Sequence, residues 1–176
     1  ITMPDQYTLF AFEQLERSRK NSGNIFAEIV LISSHAPWTP VPEIVPWQSL
    51  NNAQAFDQMV REGASPEWVW QDVSRIRDHY ERSIKYVLSS LTSYLEQYGD
   101  DKLVMVVVGD HQPAPLITES DGNQDVPIHI ISKDRQIMQV LDSWQWTEGM
   151  RPKTNLLGAW IHSAIAGYRH FPRRFK

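Results

Sequence analysis

The sequence contains no cysteine, which excludes a disulfide framework, a thiolate nucleophile and a cysteine-ligated zinc. That absence says little about compartment. Long hydrophobic runs are also missing. The longest, Leu103–Val108, is far below the ~18–20 residues that cross a bilayer as a helix. No signal peptide is visible and the chain begins at Ile1, so the expectation is a processed or excised piece of a longer polypeptide. There is no internal repeat and no low-complexity stretch.

What is present describes a globular chain of 176 residues, 41% hydrophobic and 22% charged. Those proportions exclude a disordered tail, a collagen and a coiled coil. The length predicts a single domain over 1–176 that buries roughly 70% of its unfolded surface. The net charge is −4. Arg169, Arg173, Arg174 and Lys176 stand without acids in the last eight residues. Setting those four charges aside leaves −8 on residues 1–168, a poor landing site for nucleic acid, and no nucleic-acid partner is expected. The basic tail reads as a solvated terminus.

Along the chain, Pro4 and Asp5 suit the start of a helix over residues 1–20, with Tyr7, Ala11 and Leu15 on one face. Residues 24–34, nearly continuous in apolar character, predict a strand buried on both faces. Residues 36–74 hold five prolines and the tryptophans Trp38, Trp47, Trp68 and Trp70 with little periodicity. They predict a long structured loop with one short helix at Ser65-Pro66-Glu67. The apolar stripe Ile76, Tyr80, Ile84, Val87, Leu88, Leu91, Leu95 and Tyr98 predicts a long helix over 74–98. Strands follow at 102–108 and 126–132, with a turn at Asp121-Gly122-Asn123, and then helices at 134–144 and 154–168.

Strands alternating with helices predict an α/β fold with a mostly parallel, doubly covered sheet. Ligands of such sheets bind beyond the carboxyl ends of the strands, here at Ser33-Ser34-His35 and Gly109-Asp110-His111. Asp110 and His111 offer a carboxylate oxygen and an imidazole nitrogen, half of a divalent-metal site. Gly109 would allow the unusual backbone angles needed to turn both side chains towards one point. The same dipeptide is equally consistent with an aspartate capping a turn beside an ordinary surface imidazole. His35, after a different strand, can contact an anionic oxygen or protonate a leaving group. His79, His129, His162 and His170 read as structural or surface residues.

Taken in order, several segments resemble the second half of a sulfatase-like protein. They are Ile32-Ser33-Ser34-His35-Ala36-Pro37-Trp38, a long helix beginning near Tyr80, Val106-Val107-Val108-Gly109-Asp110-His111, and Asp125-Val126-Pro127. That family belongs to the alkaline phosphatase superfamily and includes lipoteichoic acid synthases and phosphoethanolamine transferases. Pro4-Asp5-Gln6-Tyr7 is similar to the helix start before the family's histidine strand, so the resemblance covers most of residues 1–132. It implies a three-layer α/β/α domain with a mostly parallel central sheet. It implies Asp110 and His111 as ligands of a divalent cation (Mn, Zn, Mg or Ca), and His35 as a contact of the phosphate or sulfate group. It makes Val126-Pro127 the opening of the strand behind the site. Tyr86-Val87 and Gln112-Pro113 depart from the family pattern, which commonly has aspartate after the tyrosine and glycine after Asp-His.

The family's nucleophile and a further acidic ligand lie well upstream of these segments. Ser33 and Ser34 lack a nucleophile-elbow context, so no catalytic nucleophile is assigned. The resemblance therefore implies the C-terminal part of a hydrolase or transferase that is inactive alone. Its partners are the upstream half of the same polypeptide and an anionic ester substrate, lipid- or cell-envelope-linked. It also implies an extracytoplasmic location, with upstream transmembrane helices as a tether. Two alternatives stand beside it: a non-catalytic module of the same ancestry using the tryptophan loop for a glycan or lipid head group, and an unrelated α/β domain. The leading expectation is geometric, with His35, Asp110 and His111 converging within about 10 Å at one sheet edge.

Overall fold

The computed structural model describes residues 3–20, 23–52, 54–118, 126–142 and 160–166, with the backbone alone at 118, 142 and 160–166. The expected turn at 121–123, the basic tail and His170 lie outside the described residues. Two compact units divide the chain, Ile1–Tyr98 and Gly99–Lys176.

The first unit is built on helices. α1 (Asp5–Phe12) continues into a wider π turn at Glu13–Arg17. Its inward face is not Tyr7, Ala11 and Leu15; Asp5, Gln6, Leu9, Phe10 and Glu13 are the buried residues, and Leu15 is exposed. Three polar side chains are buried, each with backbone or side-chain partners, although Asp5 Oδ2 has none. Gln6 clamps Val45 by giving Nε2–H to its carbonyl (2.8 Å) and accepting its N–H on Oε1 (3.1 Å). Glu13 accepts from Tyr94 Oη (2.7 Å), Arg17 (3.0 Å) and Ser18 (2.8 Å).

The tryptophan-rich loop carries a 3₁₀ turn at Trp47–Asn51 and two short helices, α2 (Asp57–Glu62) and α3 (Pro66–Val69). The Ser65-Pro66 signal holds: Ser65 Oγ accepts the Trp68 N–H at 3.2 Å. α4 spans Val73–Tyr98, with Asp72 Oδ1 accepting the Ser74 and Arg75 amides at its start. Those hydrogen bonds, led by the one from the Ser74 hydroxyl, hold the Asp72 carboxyl below its usual range. The buried face of α4 is rotated from the apolar stripe. It runs through Ile76, His79, Ser83, Tyr86, Ser90, Leu91 and Tyr94, while Leu88 is exposed. α1 and α3 pack against this helix. No helix among the described residues is long and apolar enough to cross a membrane.

The second unit holds β1 (Val104–Val108), α5 (Pro115–Thr118), β2 (Val126–Ser132), α6 (Arg135–Asp142) and β3 (Trp160–Ala166). The chain thus mixes helices with a sheet, as expected, but the pairing differs. β2 lies between β1 and β3, and both ladders are antiparallel, with Val106 opposite Ile130 and His129 opposite Ser163. Continuous apolar runs suggested parallel strands covered on both faces; β1 instead alternates, with Val104, Val106 and Val108 exposed. Residues 24–32, expected as a strand buried on both faces, join no ladder among the described residues, and Ile25, Phe26 and Val30 are exposed. Within the helix expected over 154–168, the described residues Trp160–Ala166 form β3 instead, since Trp160, Ile161 and Ile165 suit either period over so short a run, and the rest of that span lies outside the described residues. α6 packs on β2 through Ile130, Met138 and Leu141, and Asp134 Oδ1 caps it by accepting the Gln136 N–H at 2.8 Å.

Candidate functional site

His35 belongs to the first unit and Asp110 and His111 to the second. The His35 turn is held from both sides. On one side, Asp5 Oδ1 accepts the Ile32 N–H (2.9 Å) and the Ser33 N–H (3.0 Å), and the Asp5 N–H donates to Ser33 Oγ (3.2 Å). On the other, Trp38 Nε1–H donates to the Ser34 carbonyl at 2.7 Å, and His35 N–H donates to the Ile32 carbonyl at 2.9 Å. Trp38 adopts φ 57°, a left-handed conformation that a bulky residue takes only when its surroundings compensate. Its ring stacks on Trp70 (5.6 Å, 6°) and meets Tyr80 edge-on (5.4 Å, 76°). The peptide bonds before Pro37 and Pro40 are cis.

His35 itself is exposed. Its Nδ1 lies 2.7 Å from the Ala36 carbonyl, and a carbonyl only accepts, so the proton sits on Nδ1 and the neutral ring offers Nε2 as an acceptor. Asp5, by contrast, is buried, and its Oδ2 has no hydrogen-bond partner. Burial raises its pKa, and the hydrogen bonds from Ser33 and Ile32 only partly offset that rise.

Asp110 and His111 follow the end of β1. Gly109 donates its N–H to the Pro127 carbonyl at 3.0 Å, so this end is tied to the start of β2. The glycine does not use left-handed angles. Space around it is tight, because a Cβ there would lie 3.1 Å from Pro127 Cδ and 3.2 Å from Val126 Cβ. Both candidate side chains are exposed, and His111 Nε2 stands 3.8 Å from Asp110 Oδ2. His111 Nδ1 lies 2.7 Å from the Gln112 carbonyl. Nδ1 therefore carries a proton, and Nε2 is the ring nitrogen nearer the carboxylate. A tetrahedral cation with ~2.0–2.2 Å bonds holds its donors about 3.4 Å apart, so the exposed pair needs only a small side-chain adjustment to serve as two of its ligands. No group of three or more histidine, aspartate or glutamate side chains able to hold a metal occurs among the described residues.

Sequence reasoning missed Asp5, Trp38 and His79 as the residues that shape the His35 turn. His79 Nδ1 reaches the Trp38 carbonyl at 3.1 Å from a buried position on α4. The signal for Asp5 was present in its place before a helix, but its partner is 28 residues away. Of the tryptophans, Trp38 and Trp47 pack into the first unit, Trp47 against Tyr94 and Tyr98, while Trp68 is half exposed. Comparison with family models, with curated proteins and with solved structures gives no match for this chain.

Proposed function

We propose that this chain is the C-terminal part of a metal-dependent, sulfatase-like hydrolase or transferase acting on phosphoric or sulfuric esters. Asp110 and His111 serve as two ligands of a divalent cation, and His35 binds the transferred group. One observation supports the reading most directly. His111 commits Nδ1–H to a backbone carbonyl and holds Nε2 3.8 Å from the Asp110 carboxylate. A carbonyl on the far nitrogen is the usual orienting partner of a metal-binding histidine.

A cation bound there would polarise the ester and lower the pKa of the attacking group. This chain's residues have simpler tasks. Asp110 supplies negative charge, and His111 supplies a neutral imidazole lone pair. His35 meets an anionic oxygen through Nε2 and donates to it when the ring carries both protons. The finer architecture belonging to this reading is a three-layer α/β/α domain whose sheet extends, mostly parallel, beyond the antiparallel β1–β3 set. The family's nucleophile segment has no counterpart in these residues, so the upstream half of the polypeptide is the required partner. The substrate is an anionic, lipid- or envelope-linked ester met outside the cytoplasm.

The test is a Mn²⁺ titration of the 176-residue chain, following broadening of the His111 imidazole signals, beside chromogenic ester turnover by a polypeptide that includes the upstream half. Weak Mn²⁺ binding, abolished by Asp110→Ala, is expected, with turnover confined to the longer protein. Turnover by the 176-residue chain, or unchanged broadening in Asp110→Ala, overturns the assignment. A second reading, a carbohydrate- or head-group-binding module of the same ancestry, draws on the half-exposed Trp68.

A further inference from the structure

The first unit contains a cavity of about 470 Å³ between the end of α2, Trp68 on α3 and the first turns of α4. That volume lies within the roughly 300–1,000 Å³ of small-molecule sites. Arg75, Asp78, His79 and Arg82 line it from one face of α4, at the three- and four-residue spacing that brings helix side chains together. Glu62 and Trp68 line it from the loop side.

The lining charges select among ligand classes. Arg75 and Arg82 are balanced by Glu62 and Asp78, so an anion meets two carboxylates and a cation meets two guanidinium groups. A purely apolar ligand would strip water from all four without replacing its hydrogen bonds. What remains is a neutral ligand carrying many hydroxyl groups, each able to donate to a carboxylate and accept from a guanidinium.

The individual groups are arranged for that use. Asp78 and Arg82 stand 3.8 Å apart as an i, i+4 pair. His79 donates through Nδ1 to the Trp38 carbonyl, which leaves Nε2 as an acceptor on a ring that lines the cavity. Arg75 lies 4.2 Å over the Trp68 ring and gives one N–H to the Trp68 carbonyl at 2.7 Å, which braces the indole. Trp68 keeps 51% of its surface exposed although Trp38 and Trp47 are buried. A rigid, half-open indole beside paired acids and guanidinium groups matches the two sides of a sugar ring, one edged by C–H bonds and one by hydroxyls.

We infer that this cavity binds a neutral sugar of one or two units, its C–H face on the indole face of Trp68 that Arg75 leaves uncovered and its hydroxyls on Asp78, Arg82, Glu62 and His79. The inference goes beyond the ester chemistry and gives the module reading a location and a ligand class. It does not involve Asp110 or His111, so either assignment can fail alone. The experiment is saturation-transfer NMR on the 176-residue chain with methyl glycosides of glucose, galactose and N-acetylglucosamine, and with sulfate and choline as charged competitors.

Saturable transfer to at least one glycoside is expected. Trp68→Ala and Asp78→Asn should each weaken it by about tenfold, near the worth of one hydrogen bond or contact surface. Glu96→Gln, on the exposed last turns of α4, should leave it unchanged. Asp78 is exposed and Asp78→Asn keeps its shape, so that variant decides the matter if Trp68→Ala fails to fold. No saturable glycoside, transfer unaffected by Asp78→Asn, or displacement by sulfate or choline overturns the inference.

Discussion

Asp5 and Ser33 hold each other reciprocally across 28 residues: the Ser33 N–H donates to Asp5 Oδ1 at 3.0 Å, and the Asp5 N–H donates to Ser33 Oγ at 3.2 Å. The first helix is thereby tied to the turn that presents His35. Asp5→Ala should leave the Ile32 and Ser33 amides without their acceptor and cost about 2–4 kcal/mol. Asp5→Asn preserves Oδ1 and places an amide where Oδ2 has no partner, so it should cost far less. Urea unfolding of both variants, monitored by tryptophan fluorescence, checks the difference.

The pH dependence at Asp5 has an unusual sign. Burial raises its folded pKa above the ordinary 3.8. Between those values the folded chain retains a proton that the unfolded chain has lost, so this group's contribution to stability falls as pH rises through the window. Asp5→Asn should remove that component. Unfolding free energies measured from pH 3 upward should show a smaller decline, or a steeper rise, in the variant. An identical slope in both proteins contradicts the assignment.

Tyrosines govern the alkaline side. Burial pushes the Tyr86 hydroxyl up to about 12. Tyr94 is raised too, by burial first and then by the Glu13 carboxylate that accepts its proton at 2.7 Å. Their protons are kept in the fold after an unfolded tyrosine, near 10, has begun to release its own. Stability should therefore be full below pH 10 and decline as pH rises from there through about 12. Tyr94→Phe should cost about 1–3 kcal/mol at neutral pH, because buried Glu13 loses a donor. It should also flatten the alkaline decline, as seen by circular dichroism.

Glycine substitutions separate crowding from backbone conformation. A Cβ at Gly63 would overlap the Pro40 side chain and lie 2.8 Å from the Met59 carbonyl oxygen. Gly63→Ala should destabilise by about 1–3 kcal/mol. Gly109→Ala, with neighbours at 3.1 and 3.2 Å, should cost less. The order of the two midpoints in thermal unfolding is the check.

The role assigned to His35 differs from that of the metal ligands. In the longer protein, His35→Ala should slow ester turnover while Mn²⁺ affinity stays at the wild-type value. Asp110→Ala and His111→Ala should lose both. Turnover equal to wild type in His35→Ala would remove its contact with the transferred group.

Local signals determined much of the secondary structure. Ser65 and Pro66 start α3, Asp134 caps α6, and the apolar periodicity between residues 74 and 98 produces α4, because caps and helical period act within a few residues. The placement of Asp110 and His111 just after a strand was likewise legible from Val106-Val107-Val108-Gly109. Tertiary structure alone decided the rest. An apolar run shows neither that it pairs, as 24–32 does not among the described residues, nor in which direction, as at 104–108, because both depend on the distant partner. The inward face of α1 is set by the loops it holds, with Asp5, Gln6 and Glu13 buried because Ser33, Val45 and Tyr94 come to them from 28, 39 and 81 residues away. Hydrophobic pattern finds a face that excludes water, but a buried polar face needs hydrogen-bond partners, and the fold supplies most of them from distant residues.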